Sequence, residues 1–269
     1  MKVKTIGLIR YALGILCLSL LWGLVTPGAA CMKSSNRLAA AILPPAKTDS
    51  SLPAVTDTAS DATSHTYLAL GDSYTIGQSV DITDRYPVQA VRLLKTDHLN
   101  CQPPEIIAET GWTTVNLINA LAVSPPVLST LSPVHYYNVV TLLIGVNDQY
   151  QGGSQSEYRE YFTNLLRQSI ALAGNLPSHV IVLSIPDYSV TPFAHGHNTT
   201  LIAAQIDSFN SINYSVSQDY QAHYLDITAE SRKAAGNTSL IASDGLHFSG
   251  KEYAIWAQMM EPVMKGILK

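Results

Sequence analysis

Cysteine, basic clusters and long apolar runs are all scarce in this chain, and each shortage narrows what it can be. There are 3 cysteines in 269 residues: Cys17, Cys31 and Cys101. Only Cys101 lies in the part that reads as a folded domain, which excludes a disulfide framework. It has no visible activating partner, so it reads as a structural thiol rather than a nucleophile. No zinc-finger spacing occurs. Lys and Arg number 16 against 20 Asp and Glu, a formal net charge of -4. That leaves no basic field for a nucleic acid to meet. No internal repeat is present. What remains is ordinary globular material, 46% hydrophobic, long enough for one large domain.

The one long apolar run sits at the start. Lys2, Lys4 and Arg10 precede the stretch Tyr11 to Val25, about 15 residues long. That suits the core of a signal peptide and is short for a membrane span of roughly 20 residues. Gly28, Ala29 and Ala30 then lead into Cys31. Small residues there suit cleavage after Ala30. A cysteine directly after a small residue also resembles the bacterial lipoprotein lipobox, in which that cysteine is lipidated, although Gly28 stands where leucine is usual. The lipobox reading is preferred. It implies export to the cell envelope with a lipid anchor at Cys31; the other reading gives a periplasmic or secreted protein. A lipidated Cys31 leaves Cys101 unpaired, whereas a free Cys31 leaves a bridge between the two open. Residues 1–30 are thus assigned as signal peptide. Residues 31–64, rich in Ala, Ser, Thr, Pro and Asp, are assigned as a disordered tether. The domain is 65–269.

Within the domain, strand-like and helix-like segments alternate. "HTYLAL", "PEIIAE", "YNVVTLLIG", "SHVIVLSIP" and "AHYLDI" are short apolar runs of the strand type. Between them lie segments of helical spacing: "DRYPVQAVRLLKTD", with Pro87 tolerable in a first turn, "TTVNLINALA", capped by Thr113 or Thr114, "SEYREYFTNLLRQSIALAG", closed by Gly174, and "TLIAAQIDSFNSINYSVSQDY". A last helix, "SGKEYAIWAQMMEPVMKGIL", follows. The alternation predicts an α/β domain with a mostly parallel sheet covered by helices. Ligands of such sheets sit at the carboxyl ends of the strands. Gly71–Ser73 and Gly145–Asp148 both fall there.

Four short blocks carry the chemistry. In "GDSY", Ser73 follows a buried strand. A serine hydroxyl attacks only when a base takes its proton. In "DGLH", Asp244 stands three residues before His247, a spacing that lets the carboxylate orient the imidazole. In "GVND", Asn147 offers a side-chain N–H to a developing oxyanion. In "TGWTT", Gly111 can bring its backbone N–H close to a ligand. Each block alone has an ordinary reading: a turn, a helix cap or a surface ion pair. Four of them in order, each at a strand end or at the entry of the last helix, outweigh that reading. The other serine templates fit less well. Ser73 is followed by Tyr74 and Thr75 rather than standing in G-x-S-x-G, and no S-x-x-K is paired with K-T-G.

These blocks resemble those of the GDSL esterase family, also called SGNH hydrolases, over the span from about Thr66 to the final helix. The resemblance implies a flavodoxin-like three-layer α/β/α sandwich with a parallel sheet of about five strands. It implies Ser73 as nucleophile, His247 as base and Asp244 as its orienting acid, with an oxyanion hole of the Ser73 N–H, the Gly111 N–H and Asn147. Two positions depart from the family pattern: Tyr74 replaces a frequent leucine, and Phe248 replaces the proline that often follows the histidine.

The expected function is hydrolysis of carboxylic esters, with short acyl or acetyl groups preferred, through an acyl-enzyme. Acyl transfer, lysophospholipase or lipase activity, and a tethered binding module without turnover are the alternatives. Trp112, Tyr150 and Tyr188 lie beside strand ends and are candidates to line the cleft. The pair His195 and His197 is an H-x-H with no further ligand at metal spacing, so no metal or organic cofactor is expected and that loop is expected to lie near the cleft. The partners expected are a small-molecule, glycan or lipid ester and, through Cys31, a membrane. Nucleic acid is not expected, and the domain is expected to be a monomer.

Overall fold

A computed structural model describes residues 64–126 and 136–269. The segments assigned from sequence as signal peptide and tether, with Cys31, lie outside the described residues up to residue 63. No helix among the described residues is long and apolar enough to cross a membrane.

The elements follow the alternation. Strand β1 (Tyr67–Gly71) leads into a one-turn helix α1 (Ser73–Ile76), and α2 (Tyr86–Thr96) returns the chain to β2 (Glu105–Ala108). Helix α3 (Thr114–Val123) is followed by β3 (Val139–Leu143), the short α4 (Val146–Tyr150) and α5 (Gln155–Leu172). Strand β4 (Val180–Leu183), α6 (Thr199–Asp219), β5 (His223–Leu225), α7 (Thr228–Ser231) and α8 (Gly250–Leu268) complete the domain. The five strands form one sheet in the order β2-β1-β3-β4-β5, with every pairing parallel. That order is the flavodoxin-like winding. Helices α2 and α8 pack together, while α3, α5 and α6 form a second group. Right-handed crossovers put the two groups on opposite faces of the sheet.

The continuous apolar runs become the central strands because both of their faces are covered. Every residue of β1, β3 and β4 is buried, as parallel strands between two helix layers require. Helix α3 starts at Thr113, whose side chain accepts from the Asn116 N–H while the Asn116 side chain accepts from the Thr113 N–H. Pro87 lies in the first turn of α2, where its missing N–H costs nothing. Cys101 is buried and free, and burial pushes its thiol up to about 11.

The winding reverses between β1 and β3, so a crevice opens above their carboxyl ends. Gly71 makes that crevice possible. A Cβ there would run into the Thr75 hydroxyl and the Leu143 carbonyl, both well inside contact distance. Gly71→Ala is therefore expected to destabilise the domain by about 3 kcal/mol, since the clash includes the Leu143 backbone carbonyl, which cannot yield. Urea denaturation would check this, and a variant within 1 kcal/mol of the parent would refute it.

Candidate active site

The first loop of the site is built by Asp72. Its side chain accepts from the Tyr74 N–H at 3.0 Å and so caps α1, which leaves Ser73 as the first helical residue, buried but facing the crevice. The Asp72 carboxyl is itself almost fully enclosed, and its Oδ2 has no hydrogen-bond partner. Burial pushes its pKa up to about 8, opposed by the Tyr74 N–H and assisted by repulsion from Asp148. Below that pH it is held mainly as the neutral acid.

Asp244 is treated in the opposite way. Its Oδ1 accepts from the N–H groups of Leu246 and His247 at 2.9 Å each. Its Oδ2 accepts from His247 Nδ1 and from the Ser79 hydroxyl, both at 2.6 Å. Partial burial pushes its carboxyl up. The bonds from Ser79, His247 and the two backbone N–H groups outweigh that and hold it well below the usual carboxylate range. An ionised Asp244 fixes the Nδ1–H tautomer of His247, so Nε2 is left to accept a proton. The imidazole is nearly buried and meets the Tyr74 ring edge-on at a centroid distance of 5.7 Å. Phe248, at the position where the family often has proline, is fully buried and packs on Trp256 at 5.5 Å and Tyr74 at 5.8 Å.

The third and fourth blocks are clamped together. Asp148, in the first turn of α4, accepts from the Thr114 N–H at 3.0 Å and from the Thr114 hydroxyl at 2.5 Å. Asn147 Nδ2 donates to the Trp112 carbonyl at 2.8 Å, which leaves its second amide hydrogen free. Gly145 ahead of them has φ +126°, and a Cβ there would strike the Tyr158 hydroxyl. Gly111 has φ +85° and no atom near where a Cβ would stand, so its backbone is open to a ligand.

These loops enclose a cleft of about 150 Å³, whose lining includes Ser73, Gly111, Asn147 and His247. One wall is aromatic. Tyr150, Tyr188 and Phe193 meet pairwise at centroid distances of 6.2, 6.1 and 6.3 Å. Leu246 and Val146 add apolar surface. Trp112 does not line the cleft; its ring packs part-buried against the core and only its carbonyl serves the site. His197 stacks on Phe193 at 6.2 Å, which sets the H-x-H loop beside the aromatic wall. Among the described residues no group of three His, Cys, Asp or Glu is placed to hold a metal. Ser73 and His247 face the same cleft without a hydrogen bond between them in this resting geometry. Such bonds often tighten only around substrate.

Phe193, Leu246, Thr110 and Ser79 were not singled out from the sequence. Phe193 carried a usable signal, since it shares the loop after β4 with Tyr188. Ser79 carried none.

Residues 69–255 match the model of the GDSL-like lipase/acylhydrolase family. Among solved structures the chain is similar to TesA, at 16% identity and a TM-score of 0.56, over 76% of this chain and 100% of that one. It is similar to a lipase/acylhydrolase from Enterococcus faecalis at 19% identity and a TM-score of 0.55, over 76% and 97%. It is also similar to Axe2, an acetylxylan esterase from Geobacillus stearothermophilus, at 16% identity and a TM-score of 0.55, over 74% and 94%. Likeness at these identities speaks for the fold. No curated protein matches the chain.

The buried Asp72 generates a prediction about stability. Its folded pKa is raised to about 8 from an ordinary 3.8. The folded state therefore holds a proton that the unfolded state releases, and the group's effect on stability worsens as pH rises from about 4 to about 8. Asp72→Asn, which keeps the acceptor for the Tyr74 N–H, should gain melting temperature over the parent at pH 8 and gain little at pH 4. Parallel melts at the two pH values check this; an equal gain at both would refute it.

Proposed function

Because this chain belongs to the GDSL-like lipase/acylhydrolase family, and is on that ground a hydrolase, we propose that it cleaves carboxylic esters of short acyl groups through a Ser73 acyl-enzyme. The observation that carries the reading is the placement of His247, held through Nδ1 by Asp244 at 2.6 Å, in the same cleft as Ser73, Gly111 and Asn147.

In the proposed reaction Ser73 Oγ attacks the ester carbonyl carbon as its proton passes to His247 Nε2. The imidazolium is stabilised by the ionised Asp244. The carbonyl oxygen becomes an oxyanion that accepts from the Ser73 N–H, the Gly111 N–H and the free amide hydrogen of Asn147. Collapse breaks the bond to the alcohol, which leaves with the proton from His247. Water then attacks the acyl-serine, giving its proton to His247, and the acid departs as Ser73 regains its proton. The Asn147 amide is preset by its bond to Trp112, so little reorganisation is needed as charge develops.

The cleft supports a small, uncharged acyl group. About 150 Å³ is roughly five water volumes, and among the described residues no lysine or arginine lines it. The aromatic wall and Leu246 offer apolar contact and few groups that would bond sugar hydroxyls.

The test is hydrolysis of p-nitrophenyl esters from acetate to decanoate by the full chain. Turnover is expected to peak among the short esters. Ser73→Ala should lower kcat by about 10⁴-fold or more. Asn147→Ala should lower it by about 10²- to 10³-fold with a smaller change in KM. Unchanged turnover by Ser73→Ala would remove that residue from the mechanism, and a peak at decanoate would overturn the short-acyl reading. Methanol added as a competing acceptor reports transfer as methyl ester.

A further inference from the structure

Ser79 stands outside the four blocks, yet among the described residues it is the one donor to Asp244 that comes from another part of the chain. Of the four hydrogen bonds that Asp244 accepts, three arise within its own turn, from Leu246 and His247. The fourth is the Ser79 hydroxyl, 165 residues away in sequence, on the same Oδ2 that holds the imidazole. We propose that Ser79 is a positioning residue that locks the Asp244–His247 pair to the loop carrying Ser73. The inference rests on the reading of Asp244, His247 and Ser73 given above.

The path between the nucleophile and the acid is short. The Gly77 N–H donates to the Ser73 carbonyl, and so does the Gln78 N–H at 2.9 Å. The turn that presents Ser79 therefore hangs on the main chain of Ser73 itself. On its other side the Gln78 Oε1 accepts from the Thr110 hydroxyl at 2.7 Å, next to Gly111. One turn, Gly77–Ser79, thus touches the loops of the nucleophile, the proposed oxyanion hole and the proposed acid.

The backbone gives an independent sign that the hydroxyl matters. Ser79 has φ +64°, the left-handed region. Glycine adopts that conformation freely, and a residue with a Cβ does so under strain. A turn chosen only for its shape would be served better by glycine. The serine adds only its hydroxyl, and that hydroxyl is on Asp244. The Asp244 side chain is 30% exposed, so without Ser79 water would compete for Oδ2 and the carboxylate would be free to swing with its turn.

Ser79→Ala and Ser79→Gly, made in the full chain, separate the hydroxyl from the strain. Both should lower kcat roughly ten- to a hundredfold, the weight of a hydrogen bond to a charged group, with KM within about twofold. Both should slow labelling of Ser73 by a fluorophosphonate by a similar factor. Ser79→Gly loses the same hydrogen bond but relieves the left-handed strain, so it should stay folded at the assay temperature, and its melt shows that the loss of rate is not unfolding. If Ser79→Ala does not fold, the glycine variant alone decides the matter. Parent-like kcat and labelling in Ser79→Gly would overturn the proposal and reduce Ser79 to a turn residue. His247→Ala and Ser73→Ala serve as controls: parent-like turnover in them would overturn the site reading itself, a result distinct from failure at Ser79 alone.

Discussion

The close approach of β1 to β3 at Gly71 governs what stands above it. Parallel pairing sets Gly71 beside Leu143, so the two strands end level with each other at the point where the winding reverses. Because no side chain stands between them, the chain can turn at once through Asp72 into α1, with Thr75 folded back over the glycine. A strand ending in any larger residue would have to splay before turning, and Ser73 would then move away from the crevice. The strands β1, β3 and β4 are buried along their whole length, so this geometry is anchored in the best-packed part of the molecule. Ser73 and Asn147 open short helices, and Gly111, Asp244 and His247 sit on loops, all of them rising from this buried floor.

From that floor the loops are tied to each other more than to the core. Asp148 holds Thr114, and Asn147 holds the Trp112 carbonyl, so the loops after β2 and β3 act as one piece. Gln78 and Thr110 join the turn after α1 to the loop after β2. The Phe193 N–H donates to the Gly245 carbonyl at 2.8 Å, which fastens the aromatic wall to the Asp244–His247 turn. Below that wall Asp187 is fully buried and pairs with Arg232 at 2.8 Å. Short bonds between loops cost less order than long excursions of side chains, and they place donors before any ligand arrives.

Much of this was legible in the sequence because it is local. The strands announced themselves as apolar runs too short for helices, and α5 and α6 as long helical patterns. Three of the four blocks were legible because Ser73, Gly111 and Asn147 each lie within a few positions of a strand end. Asp244 and His247 are three apart, so a single turn brings them together. Residues whose roles depend on distant partners were not legible. Ser79 gave no sign, because its meaning depends on a left-handed φ and on a carboxylate far along the chain. Trp112 looked like a cleft aromatic because it follows β2. The cap at Thr113 and the hold of Asp148 on Thr114 leave its ring against the core and turn its carbonyl to Asn147. Thr113 and Thr114, read from sequence as alternative caps, serve separate ends: one caps α3 and the other receives Asp148. The segment read as a signal peptide and Cys31 lie outside the described residues.

Two carboxylates serve the site, and their surroundings drive them apart. Asp72 has little more than the Tyr74 N–H to set against full burial, and its pKa rises to about 8. Asp244 is less buried and accepts four hydrogen bonds, and its pKa falls well below the ordinary value. Burial and the number of donors together set the two charges apart. This division suits a histidine base. An ionised Asp244 on Nδ1 would favour the imidazolium that the proposed reaction forms as Ser73 loses its proton. A second negative charge at Asp72, one residue before Ser73, would oppose the charge that the proposed reaction develops there. Keeping Asp72 neutral below about pH 8 removes that opposition while its oxygen still caps α1. On this argument, burial of Asp72 lowers the stability of the fold near neutral pH and favours the chemistry proposed for Ser73.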